Sequence, residues 1–256
     1  MGEKNLVIKF SETSVVFTEV SLLEGESLST DLLTVPISLF GTKTIQEQLP
    51  EDFSSIKNNN SFKDILLVWQ SNKTSFLPMQ LFEESNLKAL SNLVFGKDSS
   101  FNDMDFNRIP ELSLVNIFNF PLKVKSFTIK NFPFCTMKAE SMAFLRGINQ
   151  KGIFKRSLHV RVYQNSIAVE ATGRGELIFH NVFQYETPDD IAYYLINTFE
   201  KLKIDFDGGV VLYPFNKELE EFCKEVEGRL IKILKNIKSV EVKSSNELNQ
   251  LYLSCV

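Results

Sequence analysis

Cysteine is scarce in this chain. The three residues, Cys135, Cys223 and Cys255, are odd in number and far apart in 256 positions. No pair has zinc spacing, and the set suits a reducing cytoplasm rather than a disulfide framework. Histidine is scarcer, with only His159 and His180. Local sequence places no Ser or Cys beside either, so no nucleophile–base pair can be read. Long apolar runs are missing: the longest, near Ile65–Trp69, falls far short of the ~20 residues that span a bilayer, and no integral membrane segment is expected. The start, Met1-Gly2-Glu3-Lys4-Asn5, lacks the apolar stretch of a signal peptide. A basic excess is missing too. With 28 basic and 32 acidic residues the net charge is −4, which argues against a phosphate-backbone binder, and no nucleic-acid partner is expected.

Phenylalanine, by contrast, is abundant, at 23 residues against 6 Tyr and one Trp. Its ring carries no polar atom that needs a partner, so the excess predicts well-filled cores. At 43% hydrophobic and 23% charged, the chain has enough apolar material for one large or two smaller cores.

The first half reads as a strand, Leu6–Phe10, a polar turn, Ser11–Ser14, and a returning strand, Val15–Val20. A third strand over Asp31–Leu39 is expected, then a short helix near Ile45–Leu49 and a buried strand at Ile65–Trp69. In the second half, Leu158, Val160 and Val162 alternate with His159, Arg161 and Tyr163, which puts His159 and Arg161 on a polar, solvent- or cleft-facing side. A turn at Gln164-Asn165, a strand over Ile167–Ala171, a turn at Gly173-Arg174-Gly175 and a strand over Leu177–Phe183 follow. Thr187-Pro188-Asp189-Asp190 is a strong helix start, and Ile191, Tyr194, Leu195, Thr198 and Leu202 share one face of the helix it opens. A turn at Asp207-Gly208-Gly209 precedes a buried strand at Val210–Tyr213.

The order is therefore given twice. From first strand to last the distance is 59 residues in one half (65 − 6) and 52 in the other (210 − 158). No residue-level identity links the halves, so the repeat is one of pattern. Helical stripes follow each copy: Leu87, Leu90 and Val94, then Met137, Phe144 and Ile148 within Pro133–Ile148, in the first; Leu219 to Ile237, with a break considered at Gly228, in the second. Glu111–Phe118 looks like a strand. The basic segment 151–156 is the best linker, which sets the expected domains at 1–155 and 156–256.

Hairpin, third strand, helix and strand, given twice, resembles the plan of the actin-like ATPase superfamily, a duplicated RNase H-like fold of the α/β class. The run Gly175–Leu195 (GELIFHNVFQYETPDDIAYYL) more specifically resembles a bacterial domain-of-unknown-function family assigned an actin-like ATPase fold. The resemblance implies two RNase H-like subdomains and a bacterial origin, and brings no activity, substrate or partner with it.

Active members of that superfamily carry Asp-x-Gly in each hairpin turn, the Asp holding a metal-bound water and the Gly letting backbone N–H groups approach phosphate. The turns here, Lys9-Phe10-Ser11-Glu12-Thr13-Ser14 and Arg161-Val162-Tyr163-Gln164-Asn165-Ser166, have neither residue. The adenosine motif, an apolar strand ending in Gly-Gly, is replaced by Val210–Tyr213 ending in Pro214-Phe215. Nucleases on the same core need carboxylates on the first strand, and neither first strand has one. Asp98, Asp103 and Asp105 read as a solvated polar loop rather than a metal site.

Two functional readings follow. One is a non-catalytic scaffold that binds another protein and needs no cofactor. Its motivating feature is the run Phe118, Phe120, Phe127, Phe132 and Phe134 interleaved with Lys123, Lys125 and Lys130, read as core packing or as an exposed partner patch. The alternative is a divergent nucleotide-binding protein or ATPase using a cleft between the subdomains, lined by Ser11, Thr13, Tyr163, Asn165, Tyr213 and Asn216. The missing motifs lean toward the first reading and leave enzyme status open.

Overall fold

A computed structural model describes residues 3–23, 26–96, 103–151, 155–203, 208–233 and 238–254. The chain divides into two compact units, 1–147 with 249–256, and 148–248. The first unit contains β1 (Lys4–Phe10), β2 (Ser14–Leu23), β3 (Glu26–Pro36), a short α1 (Phe53–Lys57), β4 (Phe62–Trp69), β5 (Thr74–Pro78), α2 (Leu87–Phe95), β6 (Met104–Ile109), β7 (Leu114–Asn119), α3 (Leu122–Asn131) and β8 (Thr136–Ala139). The helix α4 (Glu140–Gln150) follows. The second unit holds β9 (Ser157–Val162), β10 (Ser166–Gly173), β11 (Glu176–Gln184), α5 (Pro188–Leu202), β12 (Val210–Pro214), α6 (Glu220–Ile233) and β13 (Val240–Val242), and the start of α7 (Ser245–Leu253).

The two large sheets have one topology. The first runs β3-β2-β1-β4-β8 and the second β11-β10-β9-β12-β13. In each, the first three strands pair antiparallel and the two outer crossover strands pair parallel. The first unit adds a three-stranded sheet, β5-β7-β6, between β4 and β8, with its own small core of Phe82, Leu87, Met104, Val115 and Ile117.

The repeat extends to individual hydrogen bonds. Ser11 N donates to Ser14 O at 2.9 Å, as Tyr163 N donates to Ser166 O at 2.9 Å. Ile37 N donates to Thr13 O at 2.9 Å, as Tyr185 N donates to Asn165 O at 3.1 Å. Gln70 N donates to Phe10 O at 2.8 Å, as Phe215 N donates to Val162 O at 3.0 Å. Across the first hairpin the equivalence is therefore a constant offset of 152 positions (163 − 11, 165 − 13, 166 − 14). It pairs Lys9 with Arg161 and Thr18 with Glu170.

Each sheet buries one face under helices. In the second unit Leu158, Val160, Val162, Ile167 and Val169 pack with Ile191 and Leu195 of α5 and with Cys223, Val226 and Leu230 of α6. The helix start behaves as its residues require: Thr187 accepts from Asp190 N and the Asp190 side chain accepts from Thr187 N, a complete capping box with Pro188 at the first turn. The β10–β11 turn puts Arg174 at φ 55° and Gly175 at φ 80°, the left-handed pair that tight hairpins favour. In the first unit the phenylalanine excess is spent under the sheet, where Phe17 and Phe53 lie 5.5 Å apart, Phe10 and Phe127 5.7 Å, and Phe53 and Phe132 6.0 Å.

Several expectations are revised. The third strand occupies Glu26–Pro36, and Ile45–Leu49 holds one 3-10 turn, Gln46–Gln48, ahead of α1. Pro133–Ile148 is not one helical stretch: Thr136–Ala139 pairs parallel with β4, and the helix starts at Glu140. The helix α6 runs through Gly228 unbroken, and Ile237 lies outside the described residues. The division into units differs from the expected 155/156 boundary, which falls within the second unit, and Asn249–Val256 group with the first. The last helix approaches α4 closely: a Cβ on Gly147 would meet Leu251 O at 2.5 Å, and Tyr252 hydrogen-bonds Glu140. The aromatic run does not form the partner patch considered above. Phe118, Phe120, Phe127 and Phe132 are buried, and Phe134 alone of the five is exposed.

Candidate functional site

The candidate positions lie at the two hairpin turns and at the end of β12. Ser11 is buried, and its Oγ accepts from Ser14 N at 3.0 Å and Thr13 N at 3.3 Å and pairs with Ser14 Oγ at 2.9 Å. The serine thus builds a side-chain turn, a local motif that uses up its acceptor capacity. The Thr13 side chain is exposed at the tip.

In the second unit Tyr163 is buried, with its ring 5.2 Å from Phe215 and its carbonyl accepting from Tyr185 OH at 2.5 Å. Asn165 is exposed at the tip. Asn216 Oδ1 accepts from Leu219 N at 3.2 Å, capping the turn that leads into α6. Tyr213 is buried, with its hydroxyl 3.5 Å from His159 Nδ1. The second unit therefore brings Tyr163, Tyr213 and Asn216 to neighbouring strand ends. Ser11 and Thr13 belong to the first unit.

Beneath each turn lies a feature that pattern reading did not find. Strand alternation turns Lys9 and Arg161 away from the helix-covered face, yet both are fully buried. The expectation that His159 and Arg161 face solvent or a cleft is overturned, because partners on adjacent strands neutralise the charge. The Glu170 carboxylate accepts from the Arg161 guanidinium and from His180 Nδ1, the latter at 2.9 Å. Register explains the meeting: Glu170 faces His159 across the β9–β10 ladder and His180 across the β10–β11 ladder. At the equivalent place in the first unit, Thr18 Oγ1 donates to Asp31 Oδ1 at 2.7 Å, beside Lys9.

The electrostatics follow from burial and pairing. Burial would raise the Glu170 carboxyl, but Arg161 and the His180 hydrogen bond outweigh it and hold it below its usual value. Burial pulls Lys9 down to about 8, against the support of Asp31, and His159 down to about 4, against the pull of Glu170, so this imidazole is neutral at pH 7. Burial raises the Tyr163 and Tyr213 phenols. It also pushes the Cys135 and Cys223 thiols up to about 12, which makes both poor nucleophiles.

Among the described residues no three His, Cys, Asp or Glu side chains gather as metal ligands. Two of the three aspartates read as a solvated loop hold structure instead: Asp103 Oδ1 accepts from Leu122 N at 3.1 Å at the start of α3, and Asp105 pairs with Lys125 at 2.8 Å. Asp98, Asp207 and Cys255 lie outside the described residues. No helix among the described residues is long and apolar enough to cross a membrane.

Comparison with known proteins places this geometry. The family described as "Protein of unknown function (DUF3822)" matches residues 1–220. A Bacteroides thetaiotaomicron protein with actin-like ATPase fold and unknown function superposes with TM-score 0.73 at 17% identity, covering 98% of this chain and 96% of its own. A chain of the PilM–PilN type IV pilus biogenesis complex superposes with TM-score 0.57 at 10% identity, covering 95% of this chain and 89% of its own. No curated protein matches. The fold is the actin-like ATPase fold.

Proposed function

We propose that this chain, which belongs to the DUF3822 family, is a non-catalytic actin-like-fold protein that acts in the cytoplasm by binding other proteins. The observation that carries this reading is the pair of buried cations, Lys9 and Arg161, at equivalent strand ends beneath the two turns. The resemblance implies an acid holding a metal-bound water in each of these regions. A buried base held by its own neighbours puts no carboxylate there to hold a metal-bound water, and with no exposed surface it cannot contact a phosphate itself.

The turns add to this. Ser11 is committed to its own turn, and Asn216 to a cap. The protein-binding half of the reading is supported by the PilM–PilN likeness, since that chain was solved as part of a complex. The cytoplasmic placement is supported by free Cys135 and Cys223.

The test is affinity capture with the folded full-length chain as bait and urea-unfolded bait as control, beside an ATPase assay with magnesium. A near-stoichiometric partner retained only by folded bait, with no hydrolysis above background, is the expected result. Hydrolysis lost on mutating the turns would overturn the reading in favour of a divergent ATPase.

A further inference from the structure

The first unit carries a surface cavity of about 380 Å³ between the loop 42–46 and α3, within the range typical of ligand sites. Its floor is the buried pair Ile45 and Phe127, and Leu122, 52% exposed, stands on its wall. Lys43, Lys123 and Lys130 line it, and no acidic residue does.

The loop is held in place by its own bonds. Gln48 Oε1 accepts from Ser38 N at 2.8 Å while its Nε2 donates to Ser38 O at 3.1 Å and Thr44 O at 3.2 Å. Lys123 Nζ ties the loop to α3 by donating to Leu39 O at 3.0 Å and Gly41 O at 2.8 Å. Between those two carbonyls sits Phe40, 79% exposed. An apolar ring held in water on a hydrogen-bonded loop costs hydration free energy that a partner's contact recovers.

We infer that this groove docks an acidic amphipathic segment of a partner protein. Large apolar side chains of that segment fill the cavity over Ile45 and Phe127 and extend onto Phe40 and Leu122. Its Asp and Glu residues face Lys43 and Lys130. Charge selects the sign of the occupant: three cations line the cavity with no acid among them, and Glu47, the acid beside Lys43, is taken up by Thr44 N and Oγ1, so the lining repels a basic segment. Exposed Phe40, outside the cavity lining but flanked by the two carbonyls that Lys123 holds, offers a second apolar contact, which suits a peptide rather than a small molecule, and the pre-formed loop lowers the ordering cost of binding.

This inference rests on the protein-binding reading above. The test is selection of a displayed random 12-residue peptide library against the folded full-length chain, followed by affinity measurement of the enriched peptides. Enriched peptides are expected to combine Asp or Glu with large apolar residues. They should bind about tenfold more weakly to the Lys43→Glu/Lys130→Glu variant and to Leu122→Asp. Binding to Lys232→Glu, an exposed site on α6, should not change.

Circular dichroism checks each fold, and the double lysine variant, exposed at both positions, keeps the test if Leu122→Asp does not fold. Enrichment of basic or uncharged peptides, absence of enrichment, or affinities untouched by these substitutions overturns the groove. Acidic peptides bound elsewhere leave the protein-binding reading standing, whereas nucleotide hydrolysis defeats that reading without touching the groove.

Discussion

Replacing Arg161 with methionine exposes how the second unit tolerates a charge in its interior. Arg161 and Glu170 are each 0% exposed, so removing the guanidinium strands a carboxylate whose one remaining hydrogen bond among the described residues is from His180. Breaking a buried ion pair on one side costs about 3–5 kcal/mol, a large part of the 5–15 kcal/mol, roughly, that keeps a domain folded. Substituting both partners, Arg161→Met with Glu170→Gln, removes the uncompensated charge and should recover more than half of the loss.

The loss is also pH-dependent. In the native chain the Glu170 carboxyl lies below its unfolded value, so its contribution is present above that value and fades as pH falls through the folded one. Without Arg161 burial dominates and the carboxyl rises, so the penalty is full at pH 7 and relaxes on acidification. Urea unfolding followed by circular dichroism at pH 7 and pH 5 measures both effects. Trp69, the sole tryptophan, reports the first unit separately. The expected result is a large gap between wild type and Arg161→Met at pH 7 that narrows at pH 5. Equal stabilities, a gap that widens with acid, or a double variant as unstable as the single one would refute the argument.

Other outcomes follow from the same structure. Lys9 sits at about 8 in the folded chain against 10.5 when unfolded. The unfolded state then binds more protons between those values, and stability should rise by about 3 kcal/mol from pH 8 to 10.5; Lys9→Met should flatten that slope, and parallel wild-type and variant slopes would count against it. Thr187→Ala removes the capping box of α5 and should cost about 1 kcal/mol by urea unfolding. In a Cys255→Ser background Cys135 and Cys223 should react with a disulfide reagent at pH 8 far more slowly when folded than in urea, given thiols near 12.

The parts of the fold legible in sequence were those with local grammar. Alternation marked β9, the Thr187-Pro188 start marked α5, and Gly173-Arg174-Gly175 marked a turn. What escaped depended on register. Arg161 reads as solvent- or cleft-facing from its sequence because buried cations are rare, and its partner lies nine positions away, brought near only by the β9–β10 ladder. The constant offset between the hairpins hid behind different side chains, with Ser14 and Ser166 the clearest shared marks. The helix α3 buries Val124, Phe127, Thr128 and Asn131, a stripe masked by the lysines around it. The lysines likewise leave the aromatic run open to both readings, core packing and partner patch, while the exposed groove beside α3 combines that helix with a loop some eighty positions earlier.

The most direct test of the central claim is a thermal-shift titration of the full chain with magnesium and ATP, ADP or GTP to 5 mM or so. A ligand present at about 100 times its dissociation constant stabilises the native state by about 2.7 kcal/mol, which for a chain of this size raises the midpoint by roughly 5–10 °C. With no Asp or Gly in either turn and a buried, already engaged base beneath each, no saturable rise is predicted for any of the three. A rise that saturates with nucleotide and requires magnesium would contradict the account.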